Sequence, residues 1–131
     1  MPEKTACLQN YDTTVYLMTD HRVSKAGFRE ALSCTAATVS VVTTDGSDGR
    51  AGLTVSSMCS VSDDPPSVLV CVNQASGVCD LIRNNGVICI NVLRVRHSNI
   101  ADAFSGRVAD PNRNPFDYAD WETLVTGAPA M

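Results

Sequence analysis

The chain has 131 residues, 44% of them hydrophobic and 18% charged, with a formal charge of −4; this suffices for one domain and one core, not for two. Its ten basic residues are scattered, which excludes the electrostatic footprint of a nucleic-acid binder, and no apolar run approaches the roughly 20 residues of a membrane span or the h-region of a signal peptide. Six cysteines, at 7, 34, 59, 71, 79 and 89, form no C-x-x-C pair, and His21 and His97 complete no zinc spacing, so the pattern points to a reducing, cytoplasmic setting without a metal centre.

Residues 1 to 27 carry no sustained period and are expected to be an extension outside the main domain. Within this region Ser24 is placed to cap a helix whose apolar residues Phe28, Ala31, Leu32 and Thr35 recur at intervals of three and four, the pattern of one buried face. Thr38 to Thr44, almost wholly β-branched, predicts a strand. Asp45-Gly46-Ser47-Asp48-Gly49 then reads as a hairpin turn, because Asp-Gly supplies positive φ angles. Arg50 onward returns antiparallel to the first strand.

The returning stretch, Gly52 to Pro66, is a line of small hydrogen-bonding side chains ended by Asp63-Asp64-Pro65-Pro66. Read as one strand, it puts Thr54, Ser56, Met58 and Ser60 on one face and Val55, Ser57, Cys59 and Val61 on the other. Such a surface suits a flat polar ligand; it also suits an ordinary solvated strand face.

Ser67 to Asn73 is a continuous apolar run, expected to be a strand covered on both faces. Ser76 caps a short helix carrying Val78, Leu81 and Ile82, closed by Asn85-Gly86. Val87 to Leu93 predicts another buried strand. Ser98 opens a helix with Ile100, Ala103 and Phe104 on one face and Gly106 at its end. The chain turns polar from Arg107, and Phe116, Tyr118 and Trp121 follow as an aromatic group. Arg50, Arg83, Arg94 and Arg96 read as solvated cations that could meet a phosphate, and Cys59 as an inert thiol.

The ordered run FREALSCTAATVSVVTTDGSDGRAGLTVSSMCSVSDDPPSVLVCVNQAS, then GVICINVL, the helix with Ala103-Phe104-Ser105-Gly106, and Trp121 with Gly127-x-Pro129, resembles the flavin reductase-like family. Within it the similarity is to the small NAD(P)H:flavin reductases that serve two-component monooxygenases. It spans residues 28 to 131, which would form the flavin reductase-like domain. The resemblance implies a mainly β fold with short helices, an FMN-binding split β-barrel, incomplete at the C-terminus because the family's further strands and their Gly-Asp-His or Gly-Thr-His motif are absent. It implies FMN or FAD as flavin, NADH or NADPH as reductant, a homodimer, and an oxygenase partner that receives the reduced flavin. By the same resemblance Gly52, Leu53, Thr54, Val55, Ser56, Ser57, Ser60, Val61 and Ser62 hold the flavin ring and ribityl chain. Asn73 and Ser76 lie near its phosphate, and Phe104 lies beside the ring. The cofactor carries the redox chemistry while the protein positions it. Two alternatives follow from the missing motif: a flavin-binding fragment without turnover, or a structural half-barrel completed by a partner.

Overall fold

The computed structural model describes residues 5–7, 14–16, 24–108, 110 and 112–131. The chain divides into two compact units, Met1–Ala36 and Ala37–Met131. In the first, strands β1 (Thr5–Cys7) and β2 (Thr14–Tyr16) pair antiparallel, with Thr5 opposite Tyr16. Helix α1 (Lys25–Ser33) starts where expected, the Ser24 hydroxyl accepting from the Gly27 N–H at 3.1 Å and so satisfying one of the helix's free donors. It ends earlier than the sequence suggests, at Cys34, and its expected buried face is not one: Phe28 and Leu32 are more than half exposed.

The second unit is built on a three-stranded antiparallel sheet in the order β4-β3-β7. Its centre, β3 (Ser40–Thr44), is buried at every position, as β-branched residues between two partners should be. β4 (Ala51–Val55) returns through the Asp45–Gly49 turn with Val41 opposite Thr54 and Thr43 opposite Gly52. β7 (Cys89–Val92) pairs on the other side, Val41 opposite Asn91. Because directly opposed residues share a face, Val41, Thr54 and Asn91 form one layer of the sheet.

Helix α2 (Gly77–Asn85) is capped by Ser76, whose hydroxyl accepts from the Val78 N–H at 3.4 Å, and stops at Gly86 with φ 67°, the left-handed turn glycine permits. The Asn85 side chain then ties this helix end to the hairpin turn, donating to the Thr44 hydroxyl and the Gly49 carbonyl. Helix α3 (Ser98–Phe104) follows a 3₁₀ turn at Val95–His97 and buries Ile100, Ala103 and Phe104. These three residues and Val41 form the core, with Leu93, Val108, Phe116, Tyr118, Ala119 and Trp121 packed around them.

Three expectations for the second unit fail. The stretch from Gly52 to Pro66 is not one strand: β4 ends at Val55, and after Ser56 and Ser57 the chain begins β5 (Met58–Asp63), which pairs with β6 (Pro66–Val70) in a separate hairpin with an irregularity between Ser60 and Ser62. The shared face of Thr54, Ser56, Met58 and Ser60 is therefore lost. Nor is the apolar run after Pro66 covered on both faces, since Val68 and Leu69 are 59% and 51% exposed. Only Asn91 is buried in β7. The polar segment after Arg107 supplies further structure, a 3₁₀ turn at Pro115–Tyr118 and the short antiparallel pair β8 (Glu122–Thr123) and β9 (Pro129–Ala130).

Candidate functional site

The side chains around α3 and β4 define the site. Thr54 donates from its hydroxyl to the Ala101 carbonyl at 2.7 Å, joining strand to helix at one point. Two residues earlier, Gly52 lies under Phe104: a Cβ there would stand 2.7 Å from Phe104 Cε1. Only a residue without a side chain admits the ring, which fixes the second point of contact. Phe104 in turn meets Phe116 and Trp121 edge-on at centroid distances of 4.9 and 5.6 Å, the arrangement favoured by ring quadrupoles. The Trp121 indole N–H donates to the Phe116 carbonyl at 2.9 Å.

A groove opens at each end of this helix–strand contact. The larger, about 330 Å³, is lined by Val39, Thr54, Val55, Ser56, Ala101, Asp102, Ser105 and Arg107. The smaller, about 240 Å³, is lined by Arg50, Ala51, Gly52, Val78, Phe104, Asn114, Pro115 and Phe116. Arg50 is held at its mouth by Asp45, 2.8 Å away, with its guanidinium 5.3 Å from the centre of the Phe116 ring. Among the described residues no cluster of His, Cys, Asp and Glu could hold a metal ion, and no helix is long and apolar enough to cross a membrane.

The structure thus brings together Gly52, Thr54, Val55, Ser56 and Phe104. Leu53, opposite Val42, belongs to the other sheet face. The remaining residues that the resemblance names for the flavin line neither groove. Ser57 donates to the Cys71 carbonyl at 3.2 Å and extends the β5–β6 hairpin. Ser60 and Val61 are exposed on β5. The Ser62 hydroxyl donates to the Asp64 carbonyl at 2.9 Å and accepts from its N–H in the turn before β6. Asn73 accepts the Ala75 N–H at 2.9 Å, and Ser76 caps α2, one turn of which carries Val78 into the smaller groove.

Asp102 and Arg107 were not marked by composition or motif, and Ser105 only as part of the helix end Ala103-Phe104-Ser105-Gly106. The signal for them was Gly106. With φ 73° it ends α3 in a left-handed stop, in which the Arg107 N–H reaches the Asp102 carbonyl at 2.9 Å and the Gly106 N–H reaches Ala103 at 3.3 Å. A helix stopped in this way sets the residue after the glycine beside the residue four before it.

A second polar centre holds β9. Asn91, 6% exposed, donates from Nδ2 to the Val41 carbonyl and Thr43 hydroxyl, each at 3.2 Å, and to the Pro129 carbonyl at 3.4 Å; its Oδ1 accepts the Met131 N–H at 2.9 Å. Thr43 also donates to the Pro129 carbonyl. Nearby, burial pushes the Cys89 thiol above its ordinary pKa.

Residues 32–131 match the family model described as flavin reductase like domain. The chain is 47% identical over 109 residues to FMN reductase (NADH) RutF of Bradyrhizobium diazoefficiens, covering 83% of this chain and 59% of that protein. To FMN reductase (NADH) RutF 2 of Methylorubrum extorquens it is 49% identical, covering 83% and 62%. It spans about three-fifths of the length of these curated relatives. Among solved structures, BorF, the flavin reductase component of a bacterial two-component tryptophan halogenase, superposes with a TM-score of 0.70 at 30% identity over 82% of this chain and 67% of BorF. The NADH:FAD oxidoreductase SgcE6 of Streptomyces globisporus gives 0.69 at 29% identity, covering 81% and 63%. The sheet-rich unit with its short helices, and a family match across three-quarters of the sequence, lead to one conclusion: the chain belongs to the flavin reductase-like family.

Proposed function

We propose that this chain acts as an NADH-dependent flavin reductase, reducing FMN or FAD and passing the reduced flavin to an oxygenase partner. The observation that carries the reading is the α3–β4 groove in a chain of this family, where Thr54, Val55 and Ser56 meet a helix end. Its volume of about 330 Å³ lies within the range of small-ligand sites, and its lining offers both apolar surface and hydrogen-bonding groups, as a flat heteroaromatic ring requires. In this reading Gly52, Thr54, Val55, Ser56 and Phe104 shape the ring site. Ser57, Ser60, Val61 and Ser62 line the approach from the hairpin, Asn73 and Ser76 serve the phosphate end, and Leu53 contributes backbone.

When bound, flavin supplies the redox chemistry. The protein's share is to hold the ring at the β4 edge, where main-chain groups and fixed dipoles favour added negative charge, and to orient the nicotinamide against it. The reading also takes the fold to be a split barrel that works as a homodimer, with residues 1–27 as an extension. It places the protein in the cytoplasm, where the five free cysteines among the described residues would stay reduced.

The test is an anaerobic titration of the purified chain with FMN and FAD, followed by NADH. Saturable quenching of flavin fluorescence and then loss of flavin absorbance supports the proposal. Binding without bleaching would mark a flavin-binding protein that does not turn over, and no binding would remove the reading.

A further inference from the structure

We infer that Asp102 and Arg107 together read the imide edge of a flat ring, the C(=O)–NH–C(=O) unit, with Asp102 accepting from the ring N–H and Arg107 donating to a flanking carbonyl. This rests on the flavin reading above, since the pyrimidine part of an isoalloxazine carries such an edge.

Three observations carry the inference. Both residues line the larger groove with Thr54 and Ser56, so they share one space. The left-handed stop at Gly106 brings them together through main-chain bonds: the Asp102 carbonyl accepts from the Arg107 N–H at 2.9 Å and from the Ser105 hydroxyl at 3.0 Å. Their side chains are not needed for that stop. Finally, the ion pairs among the described residues are Arg50 with Asp45 and Arg83 with Asp80, so the Asp102 carboxylate and the Arg107 guanidinium do not pair with each other within 4 Å and both stay available to a third group in the groove.

The chemistry of the pair selects the ligand. A carboxylate offers only acceptors and a guanidinium only donors. A phosphate, which is all acceptor and carries up to two negative charges, gains from Arg107 but is repelled by Asp102 in the same groove. An imide edge presents a donor between two acceptors and satisfies both side chains at once. Hydrogen bonds to charged partners are the stronger kind, and an unmatched one is costly, so the pair discriminates by the ring edge and not by the tail attached to it.

The experiment uses lumiflavin, which has the ring without ribityl chain or phosphate, and 3-methyllumiflavin, in which the imide N–H is blocked. Dissociation constants are read from fluorescence quenching, with thermal unfolding as a control. Both side chains are exposed, and substitutions that leave the backbone bonds in place should leave the unfolding midpoint unchanged. The native chain should bind lumiflavin about tenfold more tightly than the methylated ring, the size expected for one charge-assisted bond. Asp102→Ala should erase that preference. Arg107→Gln should weaken lumiflavin about tenfold while keeping the methyl discrimination, with Arg107→Lys recovering part of the loss. An equal methyl penalty in the native chain and in Asp102→Ala would overturn the inference while leaving the flavin reading intact. So would a preference for FMN over riboflavin that Arg107→Gln abolishes, because that would make Arg107 a phosphate ligand. If the native chain binds no flavin at all, the functional reading falls and this inference falls with it.

Discussion

Phe104 and Gly52 fit together as a ring over a bare backbone, so close that any side chain at 52 would overlap the aromatic edge. Alanine there would put its Cβ 2.7 and 2.9 Å from two carbons of Phe104 and 3.2 Å from the Val42 carbonyl. The ring has little room to give way, being 7% exposed and wedged against Phe116 and Trp121. Gly52→Ala should therefore destabilise the chain by about 1–3 kcal/mol, the usual cost of overpacking. In urea unfolding the double variant Gly52→Ala with Phe104→Leu should lose less than the sum of the two singles; strict additivity would show that the two residues do not collide.

Thr54 was expected to offer its hydroxyl to a ligand, yet in the structure it spends that hydrogen on the Ala101 carbonyl. Thr54→Val keeps the shape and removes the bond, so the unfolding midpoint should fall by an amount equivalent to about 1 kcal/mol, while Thr54→Ser should remain close to native. Weakened flavin binding at unchanged stability would instead assign the hydroxyl to the ligand.

Asn91 joins carbonyls of two strands to the Pro129–Met131 segment. Asn91→Leu leaves the Met131 N–H and the Thr43 hydroxyl with fewer partners in a buried setting, and we expect a loss of about 2–3 kcal/mol. Asn91→Asp should be at least as damaging, because the carboxylate would face the Val41 and Pro129 carbonyls that the amide now serves. Thermal unfolding of both variants decides the matter.

The Cys89 thiol, raised in pKa by burial, holds less thiolate at a given pH than an ordinary thiol, and thiolate is the reactive form. Iodoacetamide at pH 8 should label the exposed Cys34, Cys59 and Cys71 before Cys89. Raising the pH should bring up Cys89 labelling only above the ordinary thiol range. Peptide mass spectrometry gives the order, and early labelling of Cys89 would contradict the burial effect.

The chain's one tryptophan sits against Phe104, which borders the smaller groove. Flavin bound near α3 should quench Trp121 emission by energy transfer, saturating with the same dissociation constant as flavin's own fluorescence. Two different constants would place the flavin elsewhere.

The parts of the fold legible in the sequence were those set by local chemistry. The β-branched run gave β3, Ser76 and Gly86 bracket α2 as cap and stop, and the spacing of Ile100, Ala103 and Phe104 anticipates their common burial in α3. The break after Val55 was hidden because Ser56 and Ser57 continue the alternation of the residues around them; the change of partner from β3 to β6 is a tertiary event with no local mark. Val68 and Leu69 misled for a related reason, since an apolar run states what a strand could bury and not what covers it. In the site, the ordered resemblance named Gly52, Thr54, Val55, Ser56 and Phe104, which border the two grooves, together with Leu53, Ser57, Ser60, Val61, Ser62, Asn73 and Ser76, which do not. It could not tell that Gly52 makes room for a ring, nor that Asp102 and Arg107 become neighbours through a helix stop.

The Asn91 clamp also bears on how the second unit opens. Where β9 meets the sheet, the hold on Pro129 and Met131 runs through two side chains, Asn91 and Thr43. These bonds and the full burial of Ala128 and Pro129 are given up together when the segment leaves, and β8, paired to β9, loses its partner in the same step. In hydrogen exchange the Met131 amide and the β8–β9 ladder should then behave as one cooperative unit, with a single opening free energy below that of the β3 amides.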